Sequence, residues 1–450
     1  MTAATAPVES SPSALSNRDR YLQAFALLLA AGLVLDPSIY VGGLIHFYLH
    51  DLTSLAALIL GLMVLVRTRF ELVPRALYVP AGLLVFLAAD TIVGGAINYP
   101  RTPALLHKLF WFEHLDALRI LGELFAWIWA FGQLRPSLKD ALRIFDIALW
   151  GGAAGVALTG TWYLVTNAPH FQTDPFDLTV MFGVPMSLVY AFRRTNRADL
   201  VRLAVFGGGC LLLYSRTAMV TIAFTSVVFL VAARDWRKSI RALVPVLVGA
   251  LLVVLVPYAA GYTGLLPRAA LTRFLSIGVN QLAPYTIPSR VIIWKDALHM
   301  FEGEPLFGVG YHDYFLYSHV SEVKNGTANA PSDLPGGLIK QGHDEFLSML
   351  AETGIIGGAL FVGFWFLLLR GAYRLWRLDP DDRLWHAFTA GFFVSIVGVS
   401  LVGEILIPRT PNWVAPSAVW WIMLALVFLE QRRLEQHGRP LAPSMPGSSH

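Results

Sequence analysis

The stretch Gly342-His343-Asp344-Glu345-Phe346-Leu347-Ser348 places an imidazole beside two carboxylates at the start of an apolar run. Glycine first, acidic residues next and apolar spacing beyond predict a helix N-terminus there. The positive end of the helix dipole disfavours imidazolium and so favours a neutral base, while Asp344 and Glu345 pull the other way. A neutral imidazole at a wet helix end can serve as a base near pH 7. The plainer reading is a histidine that merely sits at such an end. Counted as one helix, residues 343–369 span about 40 Å, so the first turns project beyond a bilayer's hydrocarbon core. Glu345, Ser348 and Glu352 share a face of it. Glu352 is expected to orient a polar neighbour or to cap the region of Gly354.

One arginine interrupts an apolar run, and another belongs to a helix-like stretch of the long extramembrane segment. Ser215-Arg216-Thr217 interrupts an almost unbroken apolar run over residues 203–233, with basic clusters at both ends. The run must therefore cross a membrane an even number of times, which predicts a tight hairpin of two short helices with Arg216 at the apex. Arms of about 12–17 residues reach only about 18–25 Å, so the apex lies below the outer surface. Arginine at that depth faces a watery cavity or an anionic partner, or snorkels from the turn. Arg290 opens a helix-like stretch, Ser289 to Leu298, that also carries Trp294 and Lys295 and ends at Pro305-Leu306-Phe307-Gly308-Val309-Gly310. Metal chemistry is not expected. His312, Asp313 and His319 are too loosely spaced for a ligand set, and Asp379-Pro380-Asp381-Asp382 reads as a solvated turn beside Arg377 and Arg383. The single cysteine, Cys210, excludes a disulfide framework.

These groups must be positioned by membrane helices. Of the residues, 56% are hydrophobic and only 14% charged, and the mean hydropathy is +0.58. A soluble domain carries roughly a quarter charged residues. The apolar runs are long and unalternating, as helices need and barrel strands do not. They predict about twelve spans: 21–36, 52–66, 76–97, 118–133, 143–166, 176–192, 199–214, 217–233, 242–259, 346–369, 386–404 and 413–430. Basic clusters occupy alternate connections, including Arg67/Arg69/Arg75, Arg193/Arg194/Arg197/Arg202 and Arg370/Arg374/Arg377/Arg383. The positive-inside rule then puts both termini in the cytoplasm. The formal charge of +4 is thereby a topology signal rather than a nucleic-acid surface.

The expected organisation is a disordered cytoplasmic tail over 1–20, helices one to nine over 21–259 and, on the face opposite the cytoplasm, a large, partly helical loop over 260–345. Helices ten to twelve over 346–430 and a cytoplasmic tail over 431–450 follow. The first span is expected to anchor the chain rather than to be cleaved. Within the loop, 318–342 is rich in Ser, Asn, Pro and Gly, with little to bury.

In order and placement, three pieces of the sequence resemble the O-antigen ligase and polymerase superfamily of bacterial envelope enzymes. They are the Ser215-Arg216 apex; Ser289-Arg290 with Trp294, Ala297, Phe301, Pro305-Leu306 and Gly308-Val309-Gly310; and His343 leading to Glu352-Thr353-Gly354. The resemblance implies an all-α, glycosyltransferase-C-like protein of the bacterial inner membrane with its active site facing the periplasm. It implies metal-independent, inverting transfer from an undecaprenyl-pyrophosphate-linked glycan to the lipid A–core saccharide, with no cofactor. His343 would be the general base. Arg290 and Arg216 would stabilise the leaving pyrophosphate with forked donors, Arg119 and Lys295 would assist, and Trp294 and Glu352 would orient. A second lipid-linked repeat as acceptor would make it a polymerase, and a protein hydroxyl an O-oligosaccharyltransferase. From another class, a transporter or lipid-linked glycan flippase also has about twelve spans, but places ionisable residues and broken helices near mid-membrane.

Overall fold

The computed structural model describes residues 12–34, 38–41, 45–68, 72–102, 107–166, 174–194, 196–212, 216–233, 286–314, 317, 344–379, 382–401, 407 and 413–436, with scattered positions between 237 and 248. The chain is an all-α membrane protein apart from one small hairpin. In order its helices are α1 (Pro12–Val34), α2 (Leu49–Thr68), α3 (Tyr78–Asn98), α4 (His107–Leu134), α5 (Leu138–Thr166) and α6 (Asp174–Arg194). Then come α7 (Arg197–Leu212), α8 (Arg216–Ala233), α9 (Thr286–Gly303), α10 (Glu345–Leu378), α11 (Arg383–Ser400) and α12 (Val414–Gln436). Strands β1 (Ser38–Val41) and β2 (Ile45–Tyr48) pair antiparallel between α1 and α2. At four residues each, they are too short for the sequence's apolar period to announce them.

Five stretches among the described residues are long and apolar enough to cross a membrane by length and composition: His50–Arg67, Arg75–Asn98, Leu138–Trp162, Glu345–Leu378 and Val414–Gln436. The expected spans fall on helices except 242–259, most of which lies outside the described residues. The expected hairpin at 203–233 is two helices, α7 and α8, each packed against α6. One expected boundary moves. Helix α1 reaches back to Pro12, into the stretch read as tail, and Arg18 on it donates to Asp140 Oδ2 at 2.9 Å and to the Arg135 carbonyl at 3.2 Å.

The centre of the bundle is α12. It is apolar on every side, as a helix enclosed by other helices must be, and every residue from Val414 to Leu429 is buried, Trp420 and Trp421 completely. Helices α1, α4, α5, α6 and α10 pack around it.

Basic residues from distant connections meet at one end. Arg194 and Arg202 both hold Asp146, each at 2.6 Å, and Arg202 also holds Asp199 at 2.8 Å while fully buried. Arg193 pairs with Asp382, and Arg433 donates to the carbonyls of Arg135 and Pro136. That clusters so far apart in sequence share one end is what alternating spans require. An exposed pair adds only about 0–1 kcal/mol, so apart from those of buried Arg202 these contacts register helix ends more than they stabilise them.

Candidate functional site

The site lies at the opposite end, where α9 and the turn after it lean on α3, α4 and α10. Proline at 305 and glycines at 308 and 310 end α9 and reverse the chain. The reversal is then threaded into α10. That helix has a non-helical residue, Gly354, at φ 63°, ψ −164°. In an unbroken α-helix, Ile355 and Ile356 N–H would bond the carbonyls of Ala351 and Glu352. Instead Val309 N–H donates to Ala351 O at 3.0 Å and Gly310 N–H to Glu352 O at 2.8 Å. Ile355 and Ile356 N–H donate in turn to the carbonyls of Pro305 and Leu306, at 2.9 and 3.4 Å. The turn has been inserted into the hydrogen-bond ladder of the helix. Glycine is required on both sides: a Cβ on Gly308 would lie 2.3 Å from the Glu352 backbone, and one on Gly354 2.4 Å from that of Leu306. The expected single helix over 343–369 is therefore a helix from Glu345 broken at Gly354.

Polar side chains close the far side of the turn. Asn98, at the end of α3, donates to Val309 O at 2.5 Å and to Asp313 Oδ2 at 2.7 Å, and accepts from the Tyr317 hydroxyl at 2.9 Å. Asp90 Oδ2 accepts from Tyr311 N–H at 2.7 Å, and Glu352 Oε1 from Tyr314 N–H at 3.2 Å. Gly94 on α3 meets the Gly310 backbone so closely that a Cβ there would sit 2.7 Å from its Cα. Tyr314 is anchored by its hydroxyl to Ile293 O at 2.7 Å, within a small apolar core of Ile293, Ala297, Met300, Val309, Tyr314 and Ala351.

His114 lies on α4 outside the expected span. Its Nδ1 is 2.8 Å from Phe110 O and its Nε2 3.1 Å from Asp313 Oδ1. Only the imidazolium donates from both nitrogens. Burial pushes this histidine down, but its hydrogen bond to Asp313 and the Asp313 charge, with the Phe110 carbonyl and Glu113, carry it above its ordinary value. His312, at φ 71°, has Nδ1 3.9 Å from Glu113 Oε2.

The start of α10 is equally committed. Asp344 is its N-cap, accepting from Leu347 N–H at 3.0 Å. Glu345 is buried and accepts from Ser400 Oγ at 2.8 Å and Ile407 N–H at 3.0 Å. His343, immediately before the cap, lies outside the described residues, as do His319 and residues 318–342. Arg216 is the first residue of α8 and Arg290 the fifth of α9. Trp294, four residues beyond Arg290, is half-buried, and Lys295 is exposed. Glu345, Ser348 and Glu352 are all buried on their shared face.

Arg119 is gathered elsewhere. Its guanidinium is 3.1 Å from Asp116, 3.8 Å from Asp51 and 3.9 Å from Glu123, and lies over the Tyr48 ring. Ser54 donates to Glu123 Oε2 at 2.8 Å and accepts from Trp127 Nε1 at 3.0 Å. His50, Asp51 and Glu123 offer atoms within 4.8 Å of one another, the one group among the described residues spaced to hold a metal ion. Arg119 beside two of them already supplies positive charge there. The acidic motif near Asp379 is a turn tied by ion pairs, Asp379 to His386 at 3.3 Å and Asp382 to Arg193. Asp90, Asn98, His114, Asp51 and Glu123 were not singled out in the sequence. The usable signal is that each is a polar residue in or beside an apolar span, where ionisable groups have a purpose by default.

Comparison with known proteins gives two findings. Residues 202–362 match the family model described as O-Antigen ligase. Over 312 residues the chain is 28% identical to an O-antigen ligase of Pseudomonas aeruginosa, covering 65% of this chain and 66% of that relative's length.

Proposed function

We propose that the chain is an O-antigen ligase, a membrane glycosyltransferase acting on lipid-linked glycans, a reading supported by the match of residues 202–362 to the O-Antigen ligase family model and by the likeness to the Pseudomonas aeruginosa protein. It transfers O-antigen from undecaprenyl pyrophosphate to the lipid A–core saccharide at the periplasmic face of the inner membrane. The observation that carries this reading is that the matched stretch, 202–362, holds Arg216, Arg290 and His343 together.

The chemistry follows from the groups. The acceptor hydroxyl gives its proton to His343 as its oxygen attacks the anomeric carbon from the face opposite the leaving group. The bond from that carbon to the pyrophosphate oxygen breaks, and the configuration inverts. Pyrophosphate leaves readily, so the step needs cations on the developing charge more than a general acid. Arg216 and Arg290 supply them through fixed, forked donors. Lys295 and Arg119 are weaker pyrophosphate ligands, Arg119 the more so because three carboxylates surround it. Trp294 and Glu352 act by orientation, Glu352 through the Tyr314 segment it holds.

The test is reconstitution of purified protein with lipid-linked O-antigen and lipid A–core. Wild type forms the ligated ladder, and His343→Ala, inserted and folded as wild type, forms none. A ladder of wild-type intensity from His343→Ala refutes the general-base role. Extension of the lipid-linked glycan without transfer to core replaces ligase by polymerase, and transfer to protein replaces it by O-oligosaccharyltransferase.

A further inference from the structure

We infer that the turn Pro305–Gly308 is a re-entrant wedge whose tip, Leu306 and Phe307, lies among the acyl chains of the outer leaflet. The partner is bilayer hydrocarbon, and the proposal is independent of the glycan acted on.

Depth is the first argument. The inner end of α10 is marked by Arg370, and about 20 residues of helix cross a hydrocarbon core, which places the outer boundary near Leu350. Ile355 and Ile356, the residues that donate to Pro305 O and Leu306 O, then stand about 7 Å inside it. Helix α3 gives the same answer independently. About 20 residues from Arg75 reach Gly95, and Asp90, which accepts from Tyr311 N–H, stands about 7 Å inside.

Hydrogen bonding is the second. Irregular backbone at membrane depth survives only where protein satisfies its polar groups. Around the tip this holds: Pro305 has no N–H, and its carbonyl and that of Leu306 accept from α10, while the Leu306 and Phe307 amides stand at the shallow end of the turn. Gly308 N–H closes on Glu304 O at 2.8 Å, and Val309 and Gly310 N–H are taken by α10. Asn98, Asp90 and Glu352 serve the groups that follow. This gives the carboxylates of Asp90 and Glu352 their place within spans: each is a backbone acceptor for the inserted segment.

The third is the surface. Leu306 and Phe307 are 60% and 67% exposed, beside Ile355 and Ile356 at 54% and 40%. These four form one apolar face continuous with the lipid-facing side of α10. Exposed Glu302 and Glu304 directly precede the tip and hold it shallow, at the headgroup boundary.

The test uses full-length protein with Cys210→Ser, carrying Leu306→Cys, Phe307→Cys or Glu302→Cys labelled with a polarity-sensitive fluorophore in proteoliposomes. The labels at 306 and 307 are expected to emit blue-shifted light and to be quenched by lipids brominated near the top of the acyl chain. Aqueous iodide should quench them several-fold less than it quenches the label at 302. Equal iodide quenching at 302, 306 and 307, with no effect of brominated lipid, overturns the wedge. Stronger quenching at 307 by bromine near the chain terminus than near the headgroup also overturns it, since the tip would then lie far deeper than α3 and α10 allow.

Discussion

Replacing Gly354 by alanine tests the threaded turn most directly. At φ 63° and ψ −164° the backbone occupies a region open essentially to glycine, and the strain of placing another residue there is about 1–3 kcal/mol. The added Cβ would also lie 2.4 Å from the carbonyl carbon and oxygen of Leu306 and 2.5 Å from Phe307 N, all backbone atoms that cannot swing aside. Overpacking of that kind costs a further ~1–3 kcal/mol. The expected loss is thus about 2–6 kcal/mol, unless the Pro305–Gly310 segment is expelled, which would forfeit the four bonds between it and α10. Gly363, on the same helix, is the control: a Cβ there meets nothing within 4 Å, and a regular helical position gains up to ~1 kcal/mol from alanine. Thermal unfolding of both variants in one detergent, followed by tryptophan fluorescence, should move in opposite directions. A Gly354→Ala midpoint equal to wild type, or no lower than that of Gly363→Ala, refutes the account of the break.

Asn98→Asp should be more damaging than Asn98→Leu: both deprive the Val309 carbonyl of its donor, a single unsatisfied buried group costing about 1–3 kcal/mol, but only aspartate sets a second carboxylate against Asp313; equal unfolding midpoints would count against the network. His114 is raised above its ordinary 6.5 in the folded protein, so its contribution is fully present below pH 6.5 and is lost as pH climbs through the raised value. The stability gap between wild type and His114→Gln should accordingly narrow as pH rises above 6.5, and a gap that widens would show that the imidazolium is not the clamping species. Arg216→Ala and Arg290→Ala should each weaken donor use in the reconstituted reaction, and donor kinetics equal to wild type in either variant would remove that arginine from the mechanism. Chelation should leave ligation unchanged; inhibition reversed by one divalent ion would instead draw attention to His50, Asp51 and Glu123.

The helices were legible because the bilayer makes one demand of every span, and hydropathy together with the arginine clusters reports it. The hairpin at Ser38–Tyr48 was not, since four-residue strands carry too few alternations to register. At the site, Pro305, Gly308, Gly310 and Gly354 were all visible as breakers. Their meaning was hidden, because glycine in sequence marks freedom and not the partner that occupies it. That Gly308 and Gly354 face one another across backbones is a fact of tertiary packing between residues 46 positions apart. The polar partners were hidden for a related reason. Asn98, Asp90 and His114 come from two helices far upstream, and no local spacing links them to the turn they hold.

The two ends of the bundle are held by different kinds of force, and this makes them separately addressable in solution. At the arginine-rich end the ties between helices are charge pairs such as Arg18–Asp140 and Arg193–Asp382, partly open to solvent, which added salt screens within about 8–10 Å at ordinary ionic strength. Arg202, fully buried on Asp146 and Asp199, is sheltered from that. At the other end, backbone amides and glycine contacts carry the closure, and salt hardly touches them, whereas protonation of His114 does. Salt therefore acts chiefly on the arginine-rich face, whereas pH reaches both, through His386 beside Asp379 at that face and through His114 at the face that bears the threaded turn.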